Sequence, residues 1–438
     1  MPPPLPQVPQ APLPPRKKGM SGCMITGLVI FAALVLIAIL ASLAVPIYNR
    51  VRERAAELSD TQRQKRTKEL AVPLTPEEKT QAEAFAARLL KAIEEEDLAG
   101  VKTAVDYTEL TEEVFAGLNS TPEMKRGFIN GVEKAAGGLF SGVLGQQGHF
   151  VRHHTREGIP VVTLRFVGEG SGASYTDLFL KRDGAGSFKC VDLYNYLFGT
   201  QVTTESRRAV AMMLNSDSST LSKILGLPLK VDQHIVKAFT DVTQSFNAGD
   251  HNAVIRRYET MQPELQDLAF LYAMYVQSLQ TACSTDPGLN DKYTAALGKA
   301  RGILGNDVTI DLLLVDMHFL KGDMKAARAD VEASLRSVGD DSYLFHLLGL
   351  MCIRTNDLPG AEAALGKAEK IEPDLIDLID LRMMILAMQK NYPGLVKTMN
   401  DFAAETGAIL TPDILAETVY DDFKKSPEFA QWAAGLKK

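Results

Sequence analysis

Three histidines and two aspartates are the residues of this chain whose types suit acid–base or metal chemistry within one stretch: His149, His153, His154, Asp177 and Asp192. His153 and His154 are adjacent on an expected strand, where neighbouring side chains point to opposite faces, so they do not share a metal ion. His149, Asp177 and Asp192 are the candidates for lining a pocket, weighed against plain surface or hairpin-end positions. "GEGSGA" (168–173) satisfies the loose dinucleotide pattern. A strand is expected after it, where that fingerprint needs a helix N-terminus to meet the pyrophosphate, so it reads as a hairpin loop. The sequence has no Walker-type phosphate loop, no His-Glu-x-x-His and no Gly-x-Ser-x-Gly. Cys23, Cys190, Cys283 and Cys352 lie far apart, which excludes a Cys-x-x-Cys pair or zinc ribbon and suggests no disulfide framework. The expectation is a protein without catalytic residues, cofactor or metal.

The elements that would position any site follow from length and patterning. A chain of 438 residues is too long for one core and suits two or three domains. A formal net charge of −7 gives no global basic field, so nucleic acid is not an expected partner. One tryptophan, Trp432, and abundant leucine and alanine favour a mostly helical protein.

Residues 1–22 form a proline-rich tail, with eight prolines in the first fifteen positions, ending in Arg16, Lys17 and Lys18. Cys23 to Val45 carries no charge. As a helix it would span about 34 Å at roughly 1.5 Å per residue, so residues 23–47 are expected to form a single transmembrane helix. "ILASLAVPIY" (39–48) resembles the stem of type IV pilins in about two dozen residues. Val29 stands where pilins carry a glutamate, and Gly19 lies too far upstream for their cleavage site, which makes this an anchor rather than a pilin. The expected location is the cell membrane, with a cytoplasmic N-terminus and the large C-terminal part outside. The mixed-charge residues 48–74 read as a helical, coiled stalk and linker.

Residues 75–200 read as a small α+β domain. Thr75-Pro76-Glu77-Glu78 is a capping box with proline at the first helical position. Ala82, Phe85, Ala86, Leu89, Leu90 and Ile93 fall on one helical face. From 148 the period becomes two, and 150–156, 160–167, 175–181 and 188–193 are expected strands of an antiparallel meander. "AEAFAARLLKAIEEEDLAGV" (82–101) and "YTDLFLKRDGAGSFKCVDLY" (175–194) resemble the SnoaL-like, or nuclear-transport-factor-two-like, superfamily over about 120 residues. The resemblance implies a cone with a pocket between helices and sheet, in a family that includes both enzymes and binding modules.

After a helical connector (201–230), residues 231–438 look wholly helical. "FLKGDMKAARADVEASL" (319–335) and "IRTNDLPGAEAALGKAE" (353–369) superpose with a shift of 34, and 246–263 and 387–403 keep the turn and spacing. Phe345, Leu348, Gly349, Cys352, Ala361, Leu365 and Pro373 occupy the places that tetratricopeptide repeats give to Trp, Leu, Gly, Tyr, Ala, Phe and Pro. Ala368 matches Ser334 under the same shift. The segment resembles a tetratricopeptide array of four or five helical pairs. That resemblance implies a groove lined by first helices, faced here by Asp316, Phe319, Tyr343, His346, Leu350, Arg354, Asp377 and Asp380. Three of these are acidic, which suits a basic or mixed ligand.

The expected fold class is thus α+β and multidomain: one N-terminal transmembrane helix, a cone-like α+β domain with an antiparallel sheet, and a C-terminal α-α repeat array. The expected function is that of a membrane-anchored scaffold or adaptor binding protein partners through the repeat groove. The lipid bilayer is a further partner through one helix, and a homo-oligomer remains open. The alternative is a small-ligand receptor or enzyme using the α+β pocket.

Overall fold

The computed structural model describes residues 74–204 and 241–436, apart from short breaks, together with 206, 207 and 210. The proline-rich tail, the expected span at 23–47, the stalk up to residue 73 and most of the connector lie outside the described residues. No helix among the described residues is long and apolar enough to cross a membrane. This corrects the fold class and the single-pass membrane character expected above. The longest described helix, Pro76–Glu94, has 19 residues and buries one face only, whereas a spanning helix is apolar on all sides. The described residues are mostly helical, with one five-stranded antiparallel sheet. They form two compact units that divide between Leu313 and Leu314.

The first unit opens with α1 (Pro76–Glu94). Thr75 accepts from the Glu78 amide while the Glu78 carboxylate accepts from the Thr75 amide, so both halves of the capping box are made. Ala82, Phe85, Ala86, Leu89 and Ile93 are buried along one side. Short helices α2 (Leu98–Thr103), α3 (Tyr107–Phe115) and α4 (Pro122–Lys134) follow. The sheet is a meander in the order β1 (Gly148–Arg156), β2 (Ile159–Gly168), β3 (Gly172–Arg182), β4 (Phe188–Asn195) and β5 (Thr200–Gln201). Each of the four expected strands is present, extended by one to three residues at one or both ends, and β5 is additional.

Alternation divides the sheet into two faces. His153 reaches Glu83 of α1, so the face of Val162, Leu164 and Phe166 is the one that α1 covers. The other face carries His154, Thr163 and Asp177, with Thr163 paired to Asp177 and Asp177 to Tyr194 across β2, β3 and β4. Later in the same unit come α5 (His251–Glu259), α6 (Pro263–Gln266), α7 (Ala269–Cys283) and α8 (Asn290–Leu304), in which α7 packs on α5 and α8.

The second unit takes up α9 (Val308–Leu320) from Leu314 onward, then α10 (Met324–Val338), α11 (Ser342–Arg354), α12 (Leu358–Ile371), α13 (Asp377–Met388), α14 (Tyr392–Thr406) and, after three 3-10 turns within 412–425, α15 (Pro427–Gly435). One turn is built three times. Asp323, Asp357 and Asn391, spaced 34 residues apart, cap α10, α12 and α14 by accepting from the amides of Ala326, Gly360 and Gly394. The residue before each cap has positive φ: Gly322 (72°), Asn356 (56°) and Lys390 (55°). Each cap amide in turn donates to a carbonyl five residues back, closing the preceding helix. Asp250, after Gly249 at φ 71°, caps α5 in the same way in the first unit.

The same turn thus joins the two helices of each pair, and successive pairs stack. Helix α11 packs on α10, α12 and α13, and α13 packs on α12 and α14. A single pair cannot bury its own apolar faces, and the stack supplies the missing cover. Phe345, Cys352, Ala361, Leu365, Ala368, Leu378, Leu381, Leu395 and Met399 share one buried cluster. Leu415, Tyr420, Phe423 and Trp432 extend it from the C-terminal segment.

Candidate functional site

Two places bring chemistry-bearing side chains together. The first is Asp177, fully buried on the sheet face opposite α1. It accepts from Thr163 Oγ1 at 2.7 Å, the Tyr196 hydroxyl at 3.1 Å and Arg156 Nη1 at 3.1 Å, with His154 Nε2 at 3.3 Å. Burial pushes its pKa up, but the hydrogen bond and charge of His154, with Thr163 and Arg156, outweigh burial and hold it below the ordinary carboxylate value. Arg156 also lies over the Tyr194 ring, 3.4 Å from its centroid.

Asp192 is equally well held, by the Leu193 amide at 2.8 Å, the Thr203 amide at 3.1 Å and Thr203 Oγ1 at 2.5 Å. These carboxylates are tied into the sheet and its neighbours. His153 faces α1 and His154 faces Asp177, on opposite sides of β1. His149 lies on β1, half-buried. Two cavities among the described residues of this unit lie elsewhere. One, of about 390 Å³, is lined by residues of α2, α3 and α4 with Asp183 and Lys189. The other, of about 440 Å³, is walled by Tyr258, Tyr272 and Tyr275. Neither is lined by His149, His153, Asp177 or Asp192.

The second place is in the C-terminal unit, where most of the residues expected to face a groove meet one another. Arg354, at the end of α11, lies over the Phe319 ring of α9 with Cζ 5.9 Å from the centroid. Tyr343 and His346 stand ring beside ring at 6.0 Å. His346 is 8% exposed, and its Nδ1 is buried with no hydrogen-bond partner. Burial lowers the His346 pKa against the opposing charge of Asp377 from α13. Asp380, one helical turn after Asp377, accepts from the Tyr420 hydroxyl at 3.5 Å. Arg354 Nη2 meets Glu417 Oε2 at 2.8 Å.

Asp380 is an exposed residue whose carboxyl is nevertheless crowded by protein. Burial of that carboxyl, then the charges of Glu417 and Asp377, raise its pKa from 3.8 to about 6, offset in part by Tyr420 and Arg354. Leu350 is half-buried against the core. Asp316 lies on α9, and its side chain is outside the described residues.

The expected packing residues sit in the cluster beneath. Phe345, Ala361, Leu365 and Ala368 are buried, and Leu348 packs against them partly exposed. Gly349 lies where a Cβ would collide with the Leu381 side chain of α13, so glycine there sets how closely α11 and α13 approach. Pro373 is exposed, two residues beyond the end of α12.

Glu417 and Tyr420 are members of the site that sequence reasoning missed. They lie on irregular turns where no helical period shows. The repeat register gives no signal for Glu417 either, since it counts back to Met383 and Gly349, which are packing positions. Comparison with protein-family models, curated proteins and solved structures finds no match, so the likenesses to tetratricopeptide, SnoaL-like and pilin proteins gain no support from that quarter.

Proposed function

We propose that this protein is a scaffold or adaptor that holds a partner protein against the face shared by α9, α11 and α13. The observation that carries the reading is the run of polar and aromatic side chains along successive first helices: Phe319 meets Arg354 and His346 meets Asp377 between helices, while Tyr343 stands beside His346 on α11 and Asp380 follows Asp377 on α13. A stack of equivalent pairs repeats the same side-chain positions along one face, which suits an extended segment of another chain. The mechanism is binding alone. The saturated Asp177 and Asp192 networks favour a structural part for the α+β domain.

The test is selection of a phage-displayed random dodecapeptide library on the full chain. Binders should lose affinity roughly tenfold or more on Tyr343→Ala, the loss expected when a large contact side chain is truncated. They should keep it on Lys370→Ala, a change on the exposed side of α12. Binders indifferent to Tyr343→Ala would contradict the reading.

A further inference from the structure

The cavity of about 440 Å³ in the first unit is enclosed by α5, α6, α7 and α8, and its size falls within the roughly 300–1,000 Å³ of small-ligand sites. Three tyrosine rings line it. Tyr258 and Tyr275 are stacked with centroids 4.3 Å apart, and Tyr272 stands tilted against both, at 6.1 and 6.2 Å. Each hydroxyl is already a donor: Tyr258 to the Gln266 carbonyl at 2.6 Å, Tyr272 to the Ala296 carbonyl and Tyr275 to Glu259 at 3.0 Å. The phenols are thereby fixed in place, and what they offer a ligand is ring surface. Burial pushes the Tyr272 pKa up to about 12 and raises that of Tyr275 as well, where the Glu259 hydrogen bond and charge add to it, so both stay neutral at pH 7.

The rest of the wall decides the charge of that ligand. On α8, Lys292, Ala296, Lys299 and Ile303 recur at helical spacing and all line the cavity. Lys292 is paired with Glu259 at 2.9 Å, on the carboxylate that also accepts from Tyr275. Lys299, two turns further along the same face, has no hydrogen-bond or ion-pair partner among the described residues. One carboxylate against two ammonium groups leaves a single positive charge on the wall, that of Lys299. Tyrosine rings alone would also suit an organic cation, but here the one carboxylate is already engaged and the unpaired ammonium repels a cation. A phosphate ester brings close to two negative charges, more than one ammonium offsets. A flat ligand with one negative charge matches both the rings and the lysine.

We propose that this cavity is a binding site for a small planar aromatic monocarboxylate, its ring lying against the tyrosines and its carboxylate meeting Lys299. The site uses none of the residues of the partner-binding face and does not depend on that reading. Glu259 acts within it as a positioning residue, since it holds both Tyr275 and Lys292 and leaves Lys299 as the cation open to the ligand.

The experiment titrates the full chain with naphthoate and with naphthamide, which has the same rings and no charge, by isothermal titration calorimetry. Naphthoate should bind saturably with a dissociation constant below about 1 mM. Naphthamide should bind roughly five- to tenfold more weakly, between the value of an exposed ion pair and that of a charged hydrogen bond. Lys299→Ala, at an exposed helical position, should weaken naphthoate by the same factor and leave naphthamide unchanged, because the two changes remove one interaction. Ala295→Phe, also exposed and on the cavity wall, puts a ring into the space and should abolish binding of both probes. Far-UV circular dichroism checks that each variant keeps its helices. Naphthoate binding weaker than about 1 mM would overturn the proposal. So would equal affinity for the two probes, indifference to Lys299→Ala, or binding that survives Ala295→Phe.

Discussion

Arg354 and Glu417 are held 2.8 Å apart, and this pair joins the end of α11 to the turns that follow the last helical pair. It places a cation close enough to Asp380 to lower the pKa that burial, Glu417 and Asp377 raise. Replacing Arg354 by glutamine removes that offset, so the Asp380 titration midpoint should climb above about 6. Carbon-detected NMR titration of the Asp380 carboxyl reads the shift. A midpoint that stays in place or falls would show that Arg354 does not govern this carboxyl.

Asp380→Asn should stabilise the C-terminal unit at neutral pH. In the folded protein the carboxyl keeps its proton up to about pH 6, whereas its ordinary value is 3.8. Over that interval the folded state binds more protons than the unfolded one, so this group's contribution to stability declines as pH rises. Asparagine keeps an acceptor for Tyr420 and carries no charge. The variant should melt above the parent at pH 7, and the two should converge near pH 4. Trp432, the one tryptophan and 6% exposed, reports unfolding of this unit by fluorescence.

Gly349→Ala introduces a methyl group into the Leu381 side chain where α11 meets α13. Overpacking of this kind costs roughly 1–3 kcal/mol. Gly366, on α12, has open space where a Cβ would stand, and alanine there should stabilise by roughly 0.5–1 kcal/mol through helix propensity. Urea midpoints followed through Trp432 should therefore move in opposite directions for the two changes.

Asp177→Asn should weaken the α+β domain. Arg156 and His154 lose their buried counter-charge, and breaking a buried pair costs roughly 3 kcal/mol or more. Because the pKa of Asp177 is depressed, its contribution is present above the ordinary value of 3.8 and is lost as pH falls through the lower folded value. Backbone hydrogen exchange in β2 and β3 should speed up in the variant at pH 7, while the Trp432 transition stays where it was.

Much of this architecture was legible from local chemistry. The Thr75–Glu78 box fixed the start of α1, and period-two patterning placed β1 to β4, because those signals act over a few residues. The shift of 34 between 319–335 and 353–369 corresponds to a shared turn, since an Asx cap after a positive-φ residue can be recognised from Gly-Asp or Asn-Asp alone. The expectation of a spanning helix came from an apolar run outside the described residues, and none of the described helices has that character.

Two features needed the fold. Asp177 looked like a pocket candidate, but its partners come from β1, β2 and Tyr196 just after β4, and only the fold reveals that they saturate it. The approach of Glu417 to Arg354 depends on how the chain returns after α14, which no local pattern specifies.

The most direct test of the central claim is photo-crosslinking of a selected peptide to the full chain, with benzoylphenylalanine placed at Tyr343 in one sample and at Lys370 in another. The account predicts crosslinks from position 343 that excess unlabelled peptide suppresses, and none from position 370. Crosslinks from 370 in place of 343 would contradict it, because the partner would then lie on the second helices and the face built from α9, α11 and α13 would have no part in binding.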